Sequence, residues 1–138
     1  MMTNLHQKYG EILHEYCIRE SDVLLIIAPF ISIDAIQSIL EDRKNVVVVT
    51  SWRKDHLLSG ASTIELYPLC KKRNWKLFVN SRIHAKIYSQ SYNSCYIGSA
   101  NCTNNALFSN NGNIESMMFV SHLGLQERLE LKLSLIHI

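Results

Sequence analysis

The sequence predicts an α/β fold in which a mixed sheet is flanked by helices on both faces. Two short apolar runs carry this prediction: DVLLIIAPF at 22–30 and NVVVVTSW at 45–52. Continuous hydrophobic runs of this length are typical of strands that are buried on both faces. A segment of helical periodicity separates the two runs, and shorter alternating segments follow them. This order favours parallel early strands and partly antiparallel later ones.

The first predicted element is a helix with Thr3 as its N-cap. Its apolar residues recur at helical spacing: Leu5, Tyr9, Ile12, Leu13 and Tyr16. A second helix is predicted between the two apolar runs, with Ser32 as its N-cap. The apolar stripe of that helix consists of Ile33, Ile36, Ile39 and Leu40.

The elements after the second apolar run begin with a helix. Ser62 and Glu65 have the spacing of a capping box, which predicts a helix that starts at this point. Pro68 would then lie too deep for the first turn and should kink or divide the helix. Four strands are predicted next: WKLFV at 75–79, IHAKIYS at 83–89, CYIG at 95–98 and IESMMFV at 114–120. The tail at 121–138 fits either a helix or an alternating strand, and we favour the helix.

Length and composition bound the class of protein. With 138 residues, of which 47% are hydrophobic, we expect one soluble domain at 1–138. No window approaches the roughly 18 consecutive apolar residues of a membrane helix. The N-terminus has no apolar core of signal-peptide type, so we expect a cytoplasmic protein that does not act at a membrane. The apolar end, LSLIHI, leaves open that the chain is a fragment of a longer one.

The four cysteines, Cys17, Cys70, Cys95 and Cys102, have no spacing typical of a zinc site. We expect free and mostly buried thiols, with no metal and no other cofactor.

Acidic residues are excluded from one long interval. No Asp or Glu occurs between Glu65 and Glu115, although the chain has 12 acidic residues. The interval carries these basic residues: Lys71, Lys72, Arg73, Lys76, Arg82 and Lys86. Either a solvated basic face or an anion-binding site explains this pattern, and charge alone does not choose between them.

The region 82–115 combines side chains that suit contact with an anion. On a strand, residues two apart share a face, so His84, Lys86 and Tyr88 should point one way while the alternate apolar residues face a packed layer. The run Gly98-Ser99-Ala100-Asn101 follows the next predicted strand. Gly98 permits close backbone approach, while the Ser99 hydroxyl and the Asn101 amide suit phosphate oxygens.

Glu115 is the first acidic residue after the interval. A carboxylate at this position could accept the imidazole N–H of His84 and leave the other ring nitrogen free to attack.

Together, HAKIY, YIGSANCT and the isolated Glu115 resemble the motif of the phospholipase D superfamily, in its nuclease branch, over about 22–120. The motif of that family is His-x-Lys-x4-Asp followed by Gly-Ser-x-x-Asn. His84, Lys86, Gly98, Ser99 and Asn101 match it, with one residue fewer inside the last element. One position departs from the family, because the signature Asp falls on Ser91.

The resemblance implies a phospholipase D-like sheet and metal-independent cleavage of phosphodiesters through a phosphohistidine on His84. Lys86 and Asn101 would neutralise phosphate oxygens, Ser99 would assist, and Glu115 would orient His84. Arg82, Lys86, Gly98 and Asn101 would bind the substrate. A second histidine must protonate the leaving oxygen. Family members with one motif obtain that histidine from a homodimer, with both motifs at the two-fold interface.

The resemblance favours a nuclease that acts on DNA or another nucleic acid, such as the catalytic domain of a restriction enzyme. Excluding acids from the interval 66–114 would keep the cleft positive. Two alternatives remain open. A catalytically weak nucleic-acid-binding or scaffold module would explain Ser91, and a lipid phosphodiesterase would need a membrane-docking surface that the sequence does not suggest.

Overall fold

The computed structural model describes the backbone of residues 9–136 and the side chains of residues 9–130. Its strands are β1 (Leu24–Ile27), β2 (Val46–Thr50), β3 (Lys76–Val79), β4 (Ile87–Gln90), β5 (Ser94–Gly98) and β6 (Met117–Val120). Its helices are α1 (Tyr9–Cys17), α2 (Ile33–Leu40), α3 (Lys54–Ser59), α4 (Leu66–Arg73), α5 (Asn104–Leu107) and α6 (Leu125–Ile136).

The six strands form one mixed sheet in the order β3-β2-β1-β4-β5-β6. Strands β1, β2 and β3 are parallel, whereas β4, β5 and β6 each run antiparallel to the preceding strand in this order. The predicted α/β class and mixed sheet are therefore confirmed. The two apolar runs form β1 and β2, and every residue of both strands is buried.

The connections place four strand exits at one end of the sheet. The carboxyl ends of β1, β2, β3 and β5 meet the amino ends of β4 and β6 there. We call this end the front end, and it consists of the segments 28–34, 51–56, 80–86, 99–103 and 114–116. The opposite end of the strands is the back end.

The helices that enter the core lie on one face of the sheet. Residues of α1, α2, α4 and α5 join one cluster with inward-facing strand residues such as Ile26 and Tyr88. The other cluster contains Leu25, Ile27, Val47, Val49, Ile87 and Cys95, and its described members come from strands and connecting segments. Helical cover of that second face, which the sequence led us to expect, is not seen among the described side chains.

Topology explains this one-sided arrangement. The strands β1, β2 and β3 follow one another in a single direction across the sheet. A connection between parallel strands is right-handed almost without exception, so two successive steps in one direction place both helical connections on the same face.

Ser32 caps α2 as predicted, because its Oγ accepts a hydrogen bond from Ala35 N at 3.3 Å. Ile36, Ile39 and Leu40 of the predicted stripe are fully buried. The described part of α1 begins at Tyr9, so the predicted N-cap at Thr3 lies outside the described residues. The tail forms α6, which confirms the helical interpretation.

Two local predictions were wrong. Helix α4 begins at Leu66, so Pro68 lies in the first turn, where a missing N–H removes no helical hydrogen bond and causes no break. Ser62 is not its cap and instead donates to Ser51 O at 3.4 Å. The predicted strand at 83–89 begins only at Ile87, so His84 and Lys86 precede β4.

All four cysteines are free and buried, as predicted. Burial raises the pKa of the Cys17 thiol to about 12 and that of Cys70 to about 11. Such thiols stay protonated and are weak nucleophiles. No helix within residues 9–136 has both the length and the apolar character needed to cross a membrane.

Candidate active site

The front end of the sheet collects the five residues that the sequence predicts as catalytic. His84 and Lys86 lie just before β4, Ser99 and Asn101 follow β5, and Glu115 precedes β6. These three strands are neighbours in the sheet. The backbone continues their pairing beyond the strands, since Gly98 N donates to Lys86 O at 3.3 Å and Ser99 N donates to Ser116 O at 2.9 Å.

Gly98 is required where β5 leaves the sheet. A Cβ at this position would lie 2.1 Å from Ser116 O and 2.8 Å from the Met117 Cα, and both of these are backbone atoms. The absence of a side chain therefore lets the end of β5 approach the start of β6 closely. This approach brings Ser99 and Glu115 into contact.

The Ser99 hydroxyl forms hydrogen bonds with the segment that precedes β6. It donates to Glu115 Oε2 and accepts from Ser116 N at 2.9 Å. Glu115 is only 9% exposed, and its other oxygen, Oε1, has no hydrogen-bond partner among the described residues. Ser99 therefore fixes the carboxylate of Glu115, whereas its place in the motif region had suggested a contact with phosphate.

Asn101 is held with its amide donor available. Its Oδ1 accepts from Phe30 N at 3.2 Å, at the exit of β1. Because Oδ1 is committed to that backbone group, the two N–H donors of the amide remain for another ligand. An adjacent bridge between Ile31 and Cys102 ties the same two segments together.

The buried Tyr88 fixes the segment 99–101 from the core. Its hydroxyl donates to Ala100 O at 3.0 Å from within the first core cluster. Burial, followed by the neighbouring Cys102, Cys17 and Glu115, raises the pKa of this phenol well above its usual value. Tyr88 therefore remains a hydrogen-bond donor and anchors the backbone between Ser99 and Asn101.

The cationic and imidazole side chains are accessible. His84 and Arg82 are exposed and Lys86 is half-buried. Within residues 9–130 these three side chains form no hydrogen bond or ion pair, so the structure brings Glu115 to Ser99 and not to His84. As predicted, Ile83 and Ile87 turn towards the second core cluster.

The basic residues of the acid-free interval do not form one surface. Lys71, Lys72 and Arg73 lie in the last turn of α4, and Lys76 opens β3, so all four lie at the back end. Arg73 Nη1 is paired there with an oxygen of Asp42 at 2.7 Å.

Nor is the front end free of carboxylates. Asp34 in the first turn of α2 and Asp55 in that of α3 both lie there, and both come from outside the acid-free interval. The acid-free interval therefore does not by itself set the charge of the front end. Of its cations, Arg82 and Lys86 lie at the front end.

Ser91, at the position of the signature Asp, lies at the back end. It follows β4 with a positive φ of 51°, and its Oγ accepts from Asp22 N at 3.1 Å. Its own N–H donates to Val23 O at 2.7 Å. Ser91 thus closes the turn after β4 and belongs to the scaffold.

We expect Ser91→Asp to leave turnover unchanged and to alter the free energy of unfolding by no more than about 0.5 kcal/mol, because a carboxylate also accepts a hydrogen bond and Asp tolerates positive φ. Ser91→Ala should cost about 1 kcal/mol through loss of the acceptor. Thermal melts beside turnover assays check both variants. A large gain of turnover in Ser91→Asp would place this position in the chemistry after all.

Two further residues at the front end were not found from the sequence. Phe30 supplies the N–H that orients Asn101, and its ring lies 4.8 Å from the ring of His56 in α3. Their positions in the sequence could have identified them. Both residues follow the carboxyl ends of buried parallel strands, which is where ligands bind in α/β sheets.

The described residues contain no cluster of three or more His, Cys, Asp or Glu side chains that could hold a metal ion.

Solved structures that are similar to this chain identify its fold. The chain aligns with NucT from Helicobacter pylori at 17% identity and a TM-score of 0.67, over 96% of this chain and 88% of NucT. It aligns with Nuc from Salmonella typhimurium, a phospholipase D family member, at 18% identity and a TM-score of 0.66, over 88% of this chain and 82% of Nuc. The chain has the phospholipase D fold.

A third solved structure is similar at a lower TM-score. TrmBL2, an archaeal chromatin protein, aligns at 10% identity and a TM-score of 0.52, over 92% of this chain and 46% of TrmBL2. No protein-family model and no curated protein sequence matches the chain. The resemblance seen in the motif region is thus confirmed at the level of the fold.

Proposed function

We propose that the protein hydrolyses phosphodiester bonds of DNA without a metal ion, with His84 as the nucleophile. The observation that carries the proposal is the meeting of His84, Lys86, Asn101 and the Ser99–Glu115 pair at the front end of a phospholipase D fold. A nucleophile, phosphate-oxygen donors and a buried carboxylate are the groups that this reaction requires.

In the first step, a ring nitrogen of His84 attacks phosphorus and the bond to the leaving oxygen breaks, which yields a phosphohistidine. In the second step, water attacks that phosphorus and frees His84. Lys86 and the Asn101 amide neutralise the phosphate oxygens, on which charge grows in the transition state. Arg82 and Gly98 contact the substrate beside them.

Glu115 orients His84 in this proposal. The support is its burial, its fixed Oε2 and the availability of Oε1 as an acceptor for an imidazole N–H. The exposed His84 side chain has no other partner within the described residues, so none of these residues competes with Glu115 for it.

We further propose a homodimer, because one chain carries one His84 and the leaving oxygen needs a second histidine to protonate it. An apolar surface beside the site supports this. Ile97 and Met118 lie opposite each other on β5 and β6, and they are 41% and 61% exposed. They share the face of the buried Cys95, directly next to Gly98. A two-fold contact on this surface would bring two front ends together.

A catalytically weak DNA-binding module is the second candidate. The similarity to TrmBL2, whose solved structure describes a mode of DNA binding, favours it over a lipid phosphodiesterase. The departure at Ser91 no longer supports this candidate, because that residue lies at the back end. A role as the catalytic domain of a restriction-type enzyme is a finer proposal that the nuclease assay alone does not test.

Cleavage of plasmid DNA in the presence of EDTA tests the proposed function. We expect the rate with EDTA to equal the rate with added Mg²⁺, since the proposed steps use one carboxylate, Glu115, and that group is already bound by Ser99. The matched control is His84→Ala, purified in the same way to exclude contaminating nucleases. Activity that vanishes in EDTA and returns with Mg²⁺ would disprove the mechanism.

A further inference from the structure

The start of α3 is fixed beside the candidate active site. Segment 51–56 leaves β2 at the front end, next to the segment that leaves β1. Thr50 Oγ1 donates to Pro29 O at 3.2 Å, and Ala28 N donates to Val49 O at 3.0 Å, so the two exits are tied together. Trp52 packs against the first core cluster. The residues that follow Trp52 therefore have a defined place.

A chain of contacts joins this segment to Asn101. Phe30 donates its N–H to Asn101 Oδ1, and its ring lies 4.8 Å from the His56 ring at an interplanar angle of 60°. The His56 Nε2 lies 3.8 Å from an Asp55 oxygen, and Asp55 Oδ1 accepts from Arg53 Nε at 3.2 Å. These contacts place Arg53 on the same surface as Asn101, the proposed hydrogen-bond donor to phosphate.

Two cations of this segment face solvent. The Arg53 side chain is 52% exposed although it contacts Asp55, and Lys54 is exposed with no ion pair among the described residues. Neither cation belongs to the acid-free interval, and neither is used by the proposed chemistry at His84.

The distance between this segment and the motif residues suits two phosphates of the same DNA strand. One strand, β1, lies between β2 and β4, so the exit of β2 lies about 10 Å from the approach to β4, at roughly 4.8 Å per strand. Phosphates along one strand of DNA advance by about 3.4 Å each along the axis and also turn around it, so a gap of this size reaches a phosphate about one or two nucleotides away.

From these observations we propose that Arg53 and Lys54 form a second phosphate-binding subsite for a polynucleotide backbone. Asp55, His56 and Phe30 position it relative to Asn101. The subsite rests on the proposed function, since it presumes that the phosphate at His84 belongs to a nucleic acid. It assigns the substrate to polymeric phosphodiesters, because a small or lipid phosphodiester has no flanking phosphate to place there.

The test compares Arg53→Ala/Lys54→Ala with the parent on two substrates, a 20-nucleotide duplex and bis(p-nitrophenyl) phosphate. We expect kcat/KM to fall at least about tenfold more on the duplex than on the small ester. Gel-shift titrations at several salt concentrations should show a slope of log K against log salt that is smaller by about 1.8, the equivalent of two phosphate contacts. Lys54→Gln, which breaks no ion pair, should lower the slope by about 0.9.

The matched control is Lys71→Ala/Lys72→Ala, which removes the same charge from exposed residues at the back end. Equal losses of DNA affinity in the two double variants would overturn the subsite and leave only an effect of net charge. Equal losses on both substrates would overturn it as well. The gel shift needs no turnover, so it tests the subsite even if the parent fails to cleave, which would instead refute the proposed function.

Discussion

Replacing His84 by alanine is expected to lower the turnover of DNA at least about 10³-fold, because the variant cannot form the phosphohistidine. DNA affinity should change by less than about twofold, since the imidazole contributes no permanent charge to phosphate binding. Single-turnover cleavage assays beside gel-shift titrations measure the two quantities separately. Cleavage at the parental rate would remove His84 from the mechanism and favour the DNA-binding module.

Lys86→Ala is the informative control for this prediction. It removes a cation that contacts phosphate in both the ground state and the transition state, so turnover and affinity should both fall. The slope of log K against log salt should decrease by about 0.9 on duplex DNA. A variant of His84 that lost affinity in the same way would instead indicate a binding role for that residue.

The buried strands were predictable because they depend on local composition. The runs that form β1 and β2 consist of apolar residues on both faces, a pattern typical of strands that are buried on both faces. Helix α2 was equally predictable, since Ser32 and the apolar stripe specify its start and its buried face. No long-range information was needed for either.

The start of β4 was not predictable, because it depends on the partner strand. Alternation continues back to Ile83, but β1 ends at Ile27, which pairs with Ile87. Beyond that pair, β1 leaves the sheet through Pro29, so His84 and Lys86 have no ladder partner on that side. The irregular backbone at the two motif residues follows from the length of a neighbouring strand.

The charges that lie at the site could not be predicted in full, because sequence intervals and ends of the sheet do not coincide. Each crossing of the sheet moves the chain from one end to the other, so the cations of α4 fall at the back end while Arg82 falls at the front end. The same crossings bring Arg53, Lys54 and Asp55 to the front end from a different part of the sequence. Only the strand order reveals which charges are neighbours.

The two motif elements lie at the same end of the sheet, as expected from the sequence, whereas the residues that hold their side chains in place were not predicted. Ser99 and Glu115 meet because Gly98 allows β5 and β6 to approach, and Asn101 is oriented by a backbone N–H at Phe30. Nearly every residue type has a backbone N–H, so the amino-acid sequence does not indicate which of these groups acts as a donor. Its position is known only once β1 and β5 are seen to end at the same place.

A charge in the apolar surface beside the site should abolish dimerisation and turnover together. Ile97→Asp would place two carboxylates near each other across a two-fold axis, where like charges repel. We expect a monomer in analytical ultracentrifugation at micromolar concentration and a loss of cleavage as large as that of His84→Ala. Met118→Asp should act in the same way, and thermal melts check that either variant still folds.

The control for this prediction is Ile18→Asp, a change of the same residue type at nearly the same exposure, 42% against 41%, beyond the end of α1 at the back end. It should leave both the dimer and turnover intact. Subunit mixing gives a second, independent measure. Equal amounts of the parent and His84→Ala are mixed until their subunits have exchanged, and the activity is compared with that of the same total amount of parent. If each site needs His84 from both chains, about a quarter of the activity should remain. If each chain acts alone, about a half should remain. A parent that is monomeric and fully active would refute the shared site, because His84 would then need its proton donor from within one chain.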